Sequence, residues 1–233
     1  MMHILLTRPI DDCIEMIEKF KSLGHDVSHL PLLNIEKVNH ENFNFNNYDA
    51  FIFSSSNSIK FLDIKNINKD IKCFSVGSAT ERKIRALGFQ NVIPAEGSVN
   101  SLIEIIQNNF DTSDGKLLYI SGETIAYELD KDLKSKGYNI DRLINYKTTH
   151  NDFNDTNFIN ELKKKIPNIV YIYSENSAKS FLKFINNSGL KDEWMDTNLM
   201  CMGEKASTIL NDIKWKKIFL FNPGEEEFLL YKI

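Results

Sequence analysis

Ser55-Ser56-Asn57-Ser58-Ile59-Lys60 returns, about half a chain later, as Ser174-Glu175-Asn176-Ser177-Ala178-Lys179. Each copy follows a short β-favouring run, residues 51–54 in the first and 169–173 in the second, and leads into residues at helical spacing. Two further pieces recur in the same order. Lys21-Ser22-Leu23-Gly24 returns as Lys134-Ser135-Lys136-Gly137, and Gly77 with Ala79-Thr80 returns as Gly203 with Ala206-Ser207. Asn, Lys, Ser and Ile are abundant, which makes chance identities easier, yet a shared order at similar spacing argues for two copies of one α/β unit.

Working outward, short apolar runs alternate with helical periodicity. Strands are expected at 4–7, 27–30, 51–54, 73–76, 117–120, 143–146, 169–173, 199–202 and 218–221. Cys13, Met16, Ile17 and Phe20 fall on one helical face that Gly24 ends; Ala178, Phe181, Leu182 and Ile185 form another, and Ala206, Ile209, Leu210 and Ile213 a third. Ser78-Ala79-Thr80-Glu81 reads as a capping box, with Gly88 closing its helix. Such alternation implies parallel sheets with helices on both faces, doubly wound. Residues 31–48 and 147–156 are polar and break the rhythm, so both are expected to be connectors. A chain that crosses twice forms one discontinuous α/β domain from 1–35 and 149–233 and one inserted α/β domain from 36–148.

Bulk composition narrows the function. The chain has 233 residues, 42% hydrophobic, enough for real cores, and a net charge of −4. There is no basic stripe for nucleic acid, and no apolar run long enough to span a bilayer. The opening, Met1-Met2-His3-Ile4-Leu5-Leu6-Thr7-Arg8-Pro9, lacks the basic region of a secretory signal, and Cys13, Cys73 and Cys201 read as buried reduced thiols. A cytoplasmic protein without membrane or nucleic-acid partners, and a monomer, is the expectation. No metal-ligand spacing is present: His25 and His29 flank a helix end rather than sharing a helical face.

The strand-to-helix turns carry the chemistry. They lie at 54–58, 77–80, 122–124, 174–177 and 203–207. Unpaired N–H groups in the first turn of a helix attract anions, and small residues let a carboxylate or phosphate come close. Each turn taken singly reads equally as a plain N-cap; their recurrence in both halves argues for a site. The candidate anion contacts are Ser55, Asn57, Ser58, Gly77, Thr80, Gly122, Ser174, Asn176, Ser177 and Gly203, with Arg8 able either to grip a carboxylate bidentately or to stand solvated before Pro9. None of these turns matches a nucleotide-binding glycine loop. Tyr146 ends a strand; its phenol can donate a proton, or its ring can simply pack on a neighbouring strand.

Several of these segments are motifs in their own right. They are Ile4-Leu5-Leu6-Thr7-Arg8-Pro9 at the start, Phe51-Ile52-Phe53-Ser54-Ser55-Ser56-Asn57-Ser58-Ile59, Val76-Gly77-Ser78-Ala79-Thr80 with Gly88, Leu133 and Gly137 followed by Asn145-Tyr146-Lys147-Thr148, Tyr173-Ser174-Glu175-Asn176-Ser177, and Met202-Gly203. In order and spacing the chain resembles the uroporphyrinogen-III synthases. That resemblance implies two α/β domains joined by a two-segment linker, and a cofactor-free reaction on hydroxymethylbilane, a linear tetrapyrrole. The reaction closes the macrocycle with inversion of the last pyrrole ring, giving uroporphyrinogen III and water. It further implies Tyr146 as proton donor to the leaving hydroxyl, Thr80 lining the cleft, and backbone amides of the turns on the substrate carboxylates. Two departures stand out: Ala126 occupies a position where the family often has arginine, with Glu123 adding negative charge, and residues 223–233 are short for the family's last helix. Two other readings use the same turns: a non-catalytic two-domain binder of a polyanionic small molecule, and a nucleotide- or sugar-phosphate enzyme on a doubly wound fold.

Overall fold

A computed structural model describes residues 1–40, 43–222, 225–227 and 230. In chain order the elements are β1 (His3–Leu6), α1 (Ile14–Ser22), β2 (Asp26–His29), β3 (Leu33–Lys37), β4 (Ala50–Phe53), α2 (Asn57–Lys60), β5 (Lys72–Val76), α3 (Gly77–Ala86), β6 (Val92–Ala95), α4 (Val99–Asn109), β7 (Lys116–Gly122), α5 (Leu129–Ser135), β8 (Asn139–His150), α6 (Thr156–Lys164), β9 (Ile169–Ile172), α7 (Glu175–Ser188), β10 (Asn198–Cys201), α8 (Glu204–Ile209) and β11 (Lys217–Leu220). The chain divides into two compact units, Met1–Asn34 with Thr149–Ile233, and Ile35–Thr148.

The discontinuous unit carries a five-stranded sheet in the order β11-β10-β9-β1-β2, parallel throughout. Alternate strand residues feed opposite faces. Leu5, Val170 and Ile172 pack under α7 with Phe181, Phe184 and Ile185, while Ile4, Leu6, Ile169 and Tyr171 pack against Phe20 of α1. The other unit carries a six-stranded sheet in the order β3-β8-β7-β4-β5-β6. Here Ala50 and Ile52 face Leu102 and Ile106 of α4, whereas Phe51 and Phe53 face Ile59 of α2 and Ile84 of α3. This is the doubly wound α/β architecture that the alternation predicts. The recurrent pieces fall at matching places: Gly24 and Gly137 follow α1 and α5 at φ +80° and +91°, and Gly77 and Gly203 open α3 and α8 at φ +74° and +91°.

Three expectations need correction. The stretches expected to be connectors are partly strand: β3 lies within 31–48, and β8 runs on to His150, so Tyr146 sits inside a strand and not at its end. β3 hides its period-2 pattern among polar residues because it is a sheet edge, where charge guards against unwanted pairing; Glu36 reaches Lys147 of β8 at 3.1 Å. The edge strand β6 is a further addition, because Pro94 reads as a breaker but is tolerated where no neighbour needs its missing N–H. Finally, no capping box forms at Ser78. The helix begins two residues earlier than such a box requires, at Gly77, and the Glu81 carboxylate is taken by Arg85 four residues on, at 2.9 Å. Among the described residues the boxes that do form are Ser98 with Ser101 and Ser174 with Ser177. Of the short C-terminal stretch, residues 223, 224, 228, 229 and 231–233 lie outside the described residues.

Candidate active site

In the six-stranded sheet the winding reverses between β4 and β7: β4 is followed outward by β5 and β6, and β7 on its other side by β8. Ligands of open α/β sheets bind beyond the carboxyl ends of the strands at such a reversal. The turn at 54–58 leaves β4 there, Gly122 ends β7, and Gly77 leaves β5 next door.

Side chains from two strands tie down the 54–58 turn. The Tyr119 phenol and the Ser54 hydroxyl lie 2.8 Å apart. The Tyr146 phenol is hydrogen-bonded to the Ser55 side chain. Asn145 donates its Nδ2 to the Ser58 carbonyl at 2.6 Å. The turn also closes on itself: the Ser58 N–H and hydroxyl both donate to the Ser55 carbonyl, at 3.1 and 2.5 Å, and the Asn57 N–H donates to Ser55 Oγ at 3.2 Å. The Ser58 hydroxyl is therefore spent on the turn and fully buried.

A β-bulge aims Tyr146. Ser121 pairs with Ile144, but the next residue, Gly122, pairs with Tyr146, leaving Asn145 as the extra residue. The ring of Tyr146 lies against Gly122 so closely that a Cβ there would sit 2.7 Å from Cζ. Gly122 is thus needed for close approach. Arg142 fastens the end of β7: its Nε donates to Ser121 Oγ at 2.8 Å, and its Nη2 to the carbonyls of Gly122 at 2.6 Å and Glu123 at 2.9 Å. The Glu123 N–H in turn donates to the Tyr146 carbonyl at 2.8 Å. Burial pushes the Tyr146 phenol above its ordinary 10.0, against the smaller downward pull of the Ser55 hydrogen bond. Burial does the same to Tyr119, opposed by the Ser54 hydrogen bond and the Arg142 cation. At neutral pH both phenols are protonated, so Tyr146 is a donor and not a base.

Among the remaining residues singled out in this unit, Gly77 takes a left-handed backbone at φ +74°, and Thr80 is buried in the first turn of α3. In the discontinuous unit the winding reverses between β1 and β9. Arg8 follows β1, with its guanidinium carbon 4.9 Å from the centroid of the Tyr173 ring and Nη2 3.6 Å from the Asp12 carboxylate. Its carbonyl accepts from Cys13 and is bonded to His29 Nε2 at 2.8 Å. Ser174 and Ser177 cap α7 reciprocally: each one's N–H meets the other's hydroxyl, at 2.9 and 3.1 Å. Asn176 stands exposed in the first turn, and Gly203 opens α8. So Ser55, Asn57, Ser58, Gly77, Thr80, Gly122 and Tyr146 gather at the carboxyl edge of one sheet, and Arg8, Ser174, Asn176, Ser177 and Gly203 at that of the other. Sequence reasoning did not single out Tyr119, Arg142 or Asn145 for the site. The sequence offered no signal for Asn145: Ile144-Asn145-Tyr146 reads as plain strand alternation, and the burial of Asn145 shows only in the structure. Among the described residues no cluster of His, Cys, Asp and Glu could hold a metal, and no helix is long and apolar enough to cross a membrane.

Residues 14–220 match the family model HEM4, described as uroporphyrinogen-III synthase HemD. The chain belongs to the uroporphyrinogen-III synthase family. No curated protein matches it. Among solved structures it is similar to the uroporphyrinogen-III synthetase of Helicobacter pylori, at 17% identity and TM-score 0.67, covering 100% of each chain. It is also similar to a mutant uroporphyrinogen III synthase of the extreme thermophile Thermus thermophilus, at 12% identity and TM-score 0.58, covering 100% of this chain and 98% of that one. At these identities the two structures speak for the fold, and the family match speaks for the activity. As a uroporphyrinogen-III synthase the protein is a lyase of porphyrin and heme biosynthesis. It cyclises hydroxymethylbilane, a tetrapyrrole substrate, to uroporphyrinogen III.

Proposed function

We propose that Tyr146 is the proton donor to the leaving hydroxyl of hydroxymethylbilane. The C–O bond breaks, the phenolic proton goes to the departing oxygen, and water leaves. What remains is a delocalised cation that the substituted α-carbon of the last pyrrole attacks; that carbon's bond to its old bridge breaks, the bridge cation so formed is trapped by the ring's free α-carbon, and the proton lost there balances the one Tyr146 gave up. The trapping carbon must be chosen, so enforced folding of the chain outweighs acid strength. A net acidic protein cannot hold a polycarboxylate by overall charge. We assign that work to turn amides and small side chains: Ser55, Asn57, Gly77, Thr80 and Gly122 on one unit, and Arg8, Ser174, Asn176 and Gly203 on the other. Ser58 and Ser177, expected from the sequence to contact the anion, have both N–H and hydroxyl committed to Ser55 and Ser174 respectively, and shape the turns instead. Domains of 1–35 with 149–233 and of 36–148, a cytoplasmic monomer, no cofactor and no nucleic-acid partner complete the proposal.

The observation that carries the reading of Tyr146 is its phenol, kept protonated by burial and set against Gly122 by the bulge at the sheet's winding reversal. For Tyr146→Phe the expected loss in kcat is about 10²-fold, the lower range for a general acid. Turnover at the parent rate would remove Tyr146 from the mechanism.

A further inference from the structure

Asn145 is buried to 2% exposure in the middle of a strand, and its carbonyl and its side-chain NH2 are both committed. Its carbonyl accepts from the Val38 N–H at 3.1 Å, just past β3, and its Nδ2 donates to the Ser58 carbonyl at 2.6 Å. The neighbouring Tyr146 bonds Ser55, and Ser55 and Ser58 are joined by two hydrogen bonds to one carbonyl. These contacts form a closed ring: Asn145 to Ser58, Ser58 to Ser55, Ser55 to Tyr146, and Tyr146 back to Asn145 through the peptide bond. A phenol on a β-strand ordinarily rotates about two side-chain bonds. Here its hydroxyl partner is held by the residue next to it.

We propose that Asn145 is a positioning residue for Tyr146, fixing the Ser55 hydroxyl through the Ser58 carbonyl so that the phenol keeps one orientation over Gly122. The inference rests on the reading of Tyr146 as the acid. Two features single out Asn. It is the extra residue of the bulge, so its side chain and that of Tyr146 follow each other against one partner residue and reach the same turn. It is also the only step of the ring in which a side-chain amide donates to a buried carbonyl, a role an acceptor cannot fill.

Asn145→Asp keeps the shape and replaces the donor by an acceptor facing a carbonyl. It is compared with the parent, Tyr146→Phe and the double variant, using hydroxymethylbilane turnover and the ring-carbon NMR signal of Tyr146, assigned by its loss in Tyr146→Phe. The expectation is a kcat loss of about 10-fold or more in Asn145→Asp from misplacement of the donor, with KM unchanged, no further loss when Tyr146→Phe is added, and a displaced ring-carbon signal of Tyr146. Three results overturn the inference alone while Tyr146→Phe remains slow: parent kcat in Asn145→Asp, losses that multiply in the double variant, or a KM rise that matches the kcat loss. Parent kcat in Tyr146→Phe overturns the acid reading and this inference with it. Should Asn145→Asp fail to fold, Asn145→Ser, too short to reach Ser58, is put through the same four-way comparison and read by the same outcomes.

Discussion

Gly122 and Tyr146 are one device at the scale of single residues. The backbone of Gly122 is not left-handed, so alanine is conformationally acceptable there; what it cannot share is the volume of the Tyr146 ring, 2.7 Å from where its Cβ would stand. Gly122→Ala is therefore expected to displace the phenol. We predict a stability loss of about 1–3 kcal/mol by urea denaturation, as for other overpacked sites. The accompanying kcat loss should be about 10-fold or more, as donor misplacement requires. A variant with parent kcat would show that the ring position is immaterial. The pH profile follows from the same burial. The active form of Tyr146 is the protonated one and its pKa is raised, so kcat should stay level through neutral pH and fall only above about 10, the ordinary phenol value. That alkaline limb should vanish in Tyr146→Phe. Gly122 and Tyr146 were legible in the sequence. Asn145, Arg142 and Tyr119 were not, because their roles depend on a bulge, and Ile144-Asn145-Tyr146 reads as ordinary strand alternation.

At the scale of elements, capping separates two serines that look alike on paper. Ser174 accepts from the N3 amide of a fourteen-residue helix, whereas exposed Ser78 lies inside the first turn of α3 and caps nothing. Ser174→Ala should lower stability by about 1 kcal/mol and Ser78→Ala by less than about 0.5 kcal/mol, read as shifts in the urea midpoint. Equal effects would contradict the geometry. Local pattern foretold the strands and most helices, since apolar runs and glycine stops are local signals. It did not foretell β3 and β6, the two edge strands of the six-stranded sheet, whose charges and proline serve the edge and mask the periodicity.

At the scale of the whole molecule, the two units share a layout. Strand order β2-β1-β9-β10-β11 in one matches β8-β7-β4-β5-β6 in the other, although the chain threads the halves of each sheet in opposite order. That layout was foreshadowed by the recurrent turns and helix ends. The discontinuous unit buries two thiols and the other unit one, and burial pushes all three up from 9.0: Cys13 to about 11, Cys201 to about 12 and Cys73 to about 12. A pKa raised on folding adds stability below the unfolded value and loses it as pH climbs through the folded value. Unfolding free energy should therefore be insensitive to these thiols below pH about 9 and decline above it. Replacing Cys73 and Cys201 by alanine should flatten that decline; an unchanged slope would exclude the thiols as its source. The measurement closest to the heart of the account is product identity. Purified protein given freshly prepared hydroxymethylbilane, with the porphyrins resolved by chromatography after oxidation, should yield the type III isomer; only the type I ring of spontaneous closure would contradict it.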